Sequence, residues 1–119
     1  MGNAEQLGLF PEASEHEIEK TKAYMEQYRE AKAKVESFPD KATDELKAIL
    51  SDIERSVSII LDEEVKRVIE YRYIQGNVYT ATIQYFSNRG WSKSAVDRRL
   101  NSGLKTLAET LLFCGQLST

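Results

Sequence analysis

Apolar positions recur at helical spacing along most of this chain. Ile18, Thr21, Met25, Tyr28, Ala31 and Val35 follow at intervals of three, four and seven, the stripe of an amphipathic helix. Ser14 stands where an N-cap belongs, and Glu17 three residues later completes a capping-box pattern. Phe38-Pro39 ends this helix, because proline disfavours helical backbone in the residue before it. A second stripe of Leu46, Ile49, Leu50, Ile53, Val57 and Ile60 predicts a helix over residues 42–60, capped by Thr43 or Asp40. The two helices form an αα-hairpin. Their stripes bury against each other and the rest of the chain, with a dimer seam as the alternative.

The second half is cut into shorter pieces. Asp62 caps a third helix, with Glu63 and Glu64 complementing the dipole of its first turn. Val65, Val68, Ile69 and Ile74 point inward, and Gln75-Gly76-Asn77 breaks the helix. A short fourth helix runs from Tyr79 or Thr80 to Ser87, with Ala81, Ile83, Tyr85 and Phe86 as its apolar content. Asn88-Arg89-Gly90-Trp91 is a turn, and Trp91 reads as a core plug there. Ser92 caps the fifth and longest helix, over residues 93–113, whose inward face is Val96, Leu100, Leu104, Leu107 and Leu111. No stretch alternates with period two. The expected fold is all-α: an arm (1–13, with a Leu9-Phe10-Pro11 apolar knot), a helical hairpin (14–60) and a helix-turn-helix domain (61–119).

The 119 residues carry a net charge of −3, spread unevenly. Residues 1–60 have a net charge of −5, whereas residues 61–119 have +2. Between Asn88 and Lys105 stand five cations (Arg89, Lys93, Arg98, Arg99, Lys105) against Asp97 alone. A local excess suits one docking face better than general polyanion binding. The lone cysteine, Cys114, excludes an internal disulfide, fits a reducing cytosol and reads as a buried thiol within an apolar run. No apolar run reaches membrane-spanning length, and the first residues lack a signal-peptide pattern. Met-Gly-Asn-Ala-Glu-Gln lacks the Ser or Thr expected at the sixth position for myristoylation. A cytoplasmic protein without a membrane partner is expected.

Enzyme chemistry finds little to work with. His16 is the only histidine and lies among glutamates at a helix start. There is no Cys/His cluster with metal-ligand spacing and no glycine-rich phosphate loop. Glu63-Glu64 sit where a helix dipole wants acids, so no catalytic carboxylate pair, metal or cofactor is expected.

A helix, a turn containing glycine, and a capped helix with basic first turns make the layout of a helix-turn-helix. Its second helix enters the major groove of double-stranded DNA, and residues near its amino terminus reach base edges. Helical phase places Lys93, Ser94, Asp97 and Arg98 as candidates for bases or nearby phosphates. Arg99 and Lys105 suit backbone phosphates. Ser92 is first an N-cap and then a phosphate contact; Arg89 is a phosphate contact or a solvated turn residue. Asp97 either accepts from cytosine or orients Arg98 or Lys93.

Three stretches strengthen this reading: Val-Ile-Glu-Tyr-Arg-Tyr-Ile-Gln-Gly (68–76) followed by Tyr79-Thr80, Ser-Lys-Ser-Ala-Val-Asp-Arg-Arg-Leu (92–100), and Gly-Leu-Lys-Thr-Leu-Ala (103–108). Together they resemble the fourth region of bacterial sigma factors, which reads a promoter element through a helix-turn-helix. Within that group the chain is most similar to ArpU/RinA-type phage transcription regulators, which switch on late genes in phages of Gram-positive bacteria. Leu9-Phe10-Pro11-Glu12 and Tyr28-Arg29 match the front of that family. Trp91 stands where sigma-type domains carry an aliphatic residue, and Thr82-Ile83-Gln84 where they carry Glu-Ile-Ala. The resemblance implies a DNA-binding activator, with the hairpin contacting RNA polymerase or forming a homodimer. Two other readings compete with it. One is a small-terminase-like packaging adaptor that assembles into a ring. The other is a sigma-like module that binds polymerase without DNA.

Overall fold

The computed structural model describes residues 11–117; Leu9 and Phe10 of the expected arm lie outside them. The fold is all-α, and the described residues contain no strand.

Helix α1 (Glu15–Ser37) starts where local chemistry places it. The Ser14 hydroxyl accepts from the Glu17 N–H at 3.2 Å, and the Ser14 N–H donates to Glu17 Oε1 at 2.8 Å. These reciprocal bonds satisfy two backbone donors that a helix start leaves without partners. The helix stops at Phe38, ahead of Pro39. Helix α2 (Asp44–Ser58) is capped by Thr43, whose Oγ1 accepts from the Leu46 N–H. Asp62 Oδ1 caps helix α3 (Glu63–Ile69) by accepting from two N–H groups, those of Glu64 and Val65.

Helix α3 does not end at Ile69. It runs on into a π-helical turn, Glu70–Ile74, where the Gln75 N–H reaches back to the Glu70 carbonyl. The wider turn carries one extra residue and rotates the chain, so Tyr73 is buried while Ile74 is only half-buried. Gly76 then reverses direction at φ +80°, and a Cβ there would meet Arg29 Cγ at 2.8 Å.

Helix α4 (Tyr79–Ser87) ends in a Schellman motif. The Trp91 N–H donates to the Phe86 carbonyl, and the N–H of Gly90, at φ +88°, donates to the Ser87 carbonyl. The rings of Phe86 and Trp91 stack at 4.9 Å, the hydrophobic contact that accompanies this motif. Trp91 thus plugs the turn, beside Tyr71 and Tyr85, which also pack on Phe86.

Helix α5 (Lys93–Phe113) touches all four other helices. Its buried face is Val96, Leu100, Gly103, Leu104, Leu107, Ala108 and Leu111. Gly103 is the point of closest approach to α3: a Cβ there would lie 2.5 Å from Ile69 Cγ1. Helix α1 packs more on α5 and the π turn than on its hairpin partner α2. One core therefore draws residues from both halves of the chain. Thr21, Met25 and Tyr28 enter it, while Tyr24, Ala31, Leu46 and Ile49 are left half-buried. They line an open groove of about 340 Å³ between α1 and α2.

Cys114 corrects one expectation. It is exposed rather than buried. Helix α5 ends at Phe113, and Gly115 at φ +80° turns the chain. Leu117 fills the core position instead, and Gln116 donates to Asp52 Oδ2 at 2.6 Å, latching the tail to α2.

Candidate nucleic-acid interface

The α4-turn-α5 unit leaves Ser92, Lys93, Ser94 and Arg98 of the first turns of α5 exposed. Ser92 Oγ accepts from the Ala95 N–H at 3.1 Å, so the expected cap is made. Helix α4, by contrast, begins at Val78 with no side-chain cap. The eight residues expected to meet DNA do not form one uniform patch.

Ser94 and Arg98 are exposed on the same face, and neither side chain has an ion-pair or hydrogen-bond partner among the described residues. Arg89 is exposed at the turn. Its guanidinium lies 3.5 Å from the Tyr85 ring centroid and donates to the Tyr85 carbonyl, which fixes its direction. It has no carboxylate partner among the described residues, so its charge is uncompensated there.

Lys93 and Asp97 form a unit with Tyr79. The Tyr79 hydroxyl donates to Asp97 Oδ1 at 2.5 Å, and Lys93 Nζ donates to Asp97 Oδ2 at 3.0 Å. Both carboxylate oxygens are therefore engaged, and the unit ties the start of α4 to the start of α5. The hydrogen bonds from Tyr79 and then Lys93 hold the Asp97 carboxyl below its usual pKa. The bond to Asp97 is the chief cause that holds the Lys93 ammonium above its usual pKa.

Arg99 is turned to the flank. It stacks 4.4 Å from the Trp91 ring centroid, donates to the Ala95 carbonyl, and pairs with Glu64 at 2.7 Å. Lys105 lies three turns along the helix from Lys93 and pairs with Glu12 at 3.7 Å. Toward its carboxyl end, then, the exposed strip of α5 is bordered by acids. Its amino end is the cationic part.

The geometry adds residues that sequence reasoning passed over. Asn101 and Ser102 are exposed on the strip that continues from Ser94 and Arg98, with no side-chain partner among the described residues. Asn101 stands seven positions after Ser94 and three after Arg98, a spacing visible in the sequence, but it lies beyond the first two helical turns to which the candidates for base contact were limited. It also borders a polar groove of about 340 Å³ shared with Lys22, Glu26, Arg72 and Tyr79. Arg72 is held there by the Asn77 carbonyl at 3.1 Å. Tyr79 was missed as well, because only the fold brings it to Asp97.

Among the described residues no group of three or more His, Cys, Asp or Glu side chains could hold a metal ion. No helix among them is long and apolar enough to cross a membrane. No family model matches the chain, and no curated protein or solved structure matches it either.

Proposed function

We propose that this chain is a sequence-specific double-stranded DNA-binding transcription regulator that docks the amino end of α5 in the major groove. One observation carries the reading. A capped helix, braced against α4 by a Schellman turn, projects Ser94, Arg98 and Asn101 outward without internal partners. Rigid supports with unpaired polar tips are what base readout requires. Lys93 and Arg89 stand beside the tips as charged groups of fixed direction, suited to phosphates. The likeness of residues 68–76, 92–100 and 103–108 to ArpU/RinA-type regulators makes activation of phage late genes the most specific form of this proposal.

The α1–α2 groove favours a protein partner for the hairpin as well. Its half-buried Tyr24, Ala31, Leu46 and Ile49 suit RNA polymerase or a second copy of the chain. Sedimentation equilibrium separates a monomer or dimer from the ring expected of a packaging adaptor.

Selection from a randomised duplex library tests the DNA reading. Enrichment of one sequence family, with affinity that falls steeply as salt rises, supports it. A library that emerges unchanged refutes it and leaves the polymerase-binding module in its place.

A further inference from the structure

We infer that Asn101 is a base-reading residue, specific for adenine, and that it works one or two base pairs from a guanine read by Arg98. This rests on the DNA-binding reading above. It follows from which side chains on α5 are free. Asp97 and Lys93 are bonded to each other, and Asp97 to Tyr79 as well, so reading a base with either would compete with bonds that already fix their direction. Arg99 is held by Trp91, Ala95 and Glu64, and Lys105 is paired with Glu12. Ser94 and Ser102 are exposed, but a single hydroxyl bonds donors and acceptors alike and discriminates poorly.

Arg98 and Asn101 remain. Each has a planar end that can make two parallel hydrogen bonds. A guanidinium matches O6 and N7 of guanine, and a carboxamide matches N6 and N7 of adenine. They are three residues apart, about 4.5 Å along the helix axis at 1.5 Å per residue. Successive base pairs are about 3.4 Å apart. Two side chains on one helical face at that separation meet neighbouring or next-neighbouring pairs. Asn101 borders a groove of mixed charge, lined by Lys22 and Arg72 as well as Glu26 and Asp97.

The test starts from the duplex that the wild-type protein selects. Every base pair of that duplex is replaced in turn, and affinity is measured for wild type, Arg98→Ala and Asn101→Ala. For wild type, one A·T pair and one G·C pair within two steps should each show a loss of about 5- to 150-fold when replaced. Asn101→Ala should flatten the penalty at that A·T pair alone, and Arg98→Ala the penalty at the G·C pair alone. Both residues are exposed, so melting curves should not move. An Asn101→Ala protein that keeps every penalty of wild type, or weakens all duplexes equally, overturns the inference while the DNA reading stands. A wild-type protein that selects no duplex overturns both.

Discussion

The two halves of α5 are one helix in two environments. From Gly103 onward, Gly103, Leu104, Leu107, Ala108 and Leu111 sit in the core, enclosed by α1, α2 and α3. From Lys93 to Ser102, only Val96 and Leu100 are buried, and the outward strip is polar. The back half holds the molecule together, and the front half is held out by it. A rigid buried shaft limits how far the exposed end can swing, which is what a reading surface needs. It follows that substitutions in the two halves should separate cleanly: stability for one, recognition for the other.

The largest effect is expected in the shaft. Leu107 has no exposed surface, and Leu107→Ala should cost about 2–5 kcal/mol in urea unfolding through lost burial and a cavity. In the front half, Arg98→Ala should leave urea unfolding unchanged and cost about 1–3 kcal/mol in binding to the selected duplex. Unchanged affinity would remove Arg98 from the reading surface. Gly103→Ala sharpens the boundary between the halves. Helix propensity favours the alanine by about 1 kcal/mol. Its Cβ, however, would sit 2.5 Å from Ile69 Cγ1, and Ile69 is wholly buried and cannot swing away. Overpacking of this kind costs about 1–3 kcal/mol, so the net change should be a loss of stability. A gain would mean that α3 yields more easily than its packing implies.

The smallest effect concerns the strut at the front. Asp97→Asn should lower stability slightly at neutral pH. Because the native carboxyl is held below its ordinary value of 3.8, its contribution is present above that pH and is lost as the pH falls through the lower native value. The melting curves of wild type and Asp97→Asn should therefore converge in strong acid. Curves that stay equally far apart at every pH would show that the Tyr79–Asp97–Lys93 unit contributes nothing through charge.

Local signals made the helix ends legible. The Ser14, Thr43, Asp62 and Ser92 caps act within three residues and can be read from a short window. The glycine at 90 and the Trp91 plug were legible for the same reason. What sequence could not supply was pairing across the fold. Tyr79 and Asp97 are eighteen positions apart, and Glu64 and Arg99 thirty-five, so nothing local marks them as partners. The π turn at Glu70–Ile74 was hidden too, since one extra residue shifts the helical phase by less than the noise of a short apolar pattern. Cys114 was misjudged because composition reports an apolar run without showing that Gly115 turns the chain out of it.

The most direct test of the division within α5 is an amide NMR titration of the labelled protein with its selected duplex. The expected result is a cluster of shifted resonances at residues 79–80 and 89–102, weakening sharply beyond Lys105, with the α1–α2 groove unmoved. Shifts concentrated on Tyr24, Ala31, Leu46 and Ile49, with the front of α5 silent, would contradict it and place the DNA at the α1–α2 groove instead.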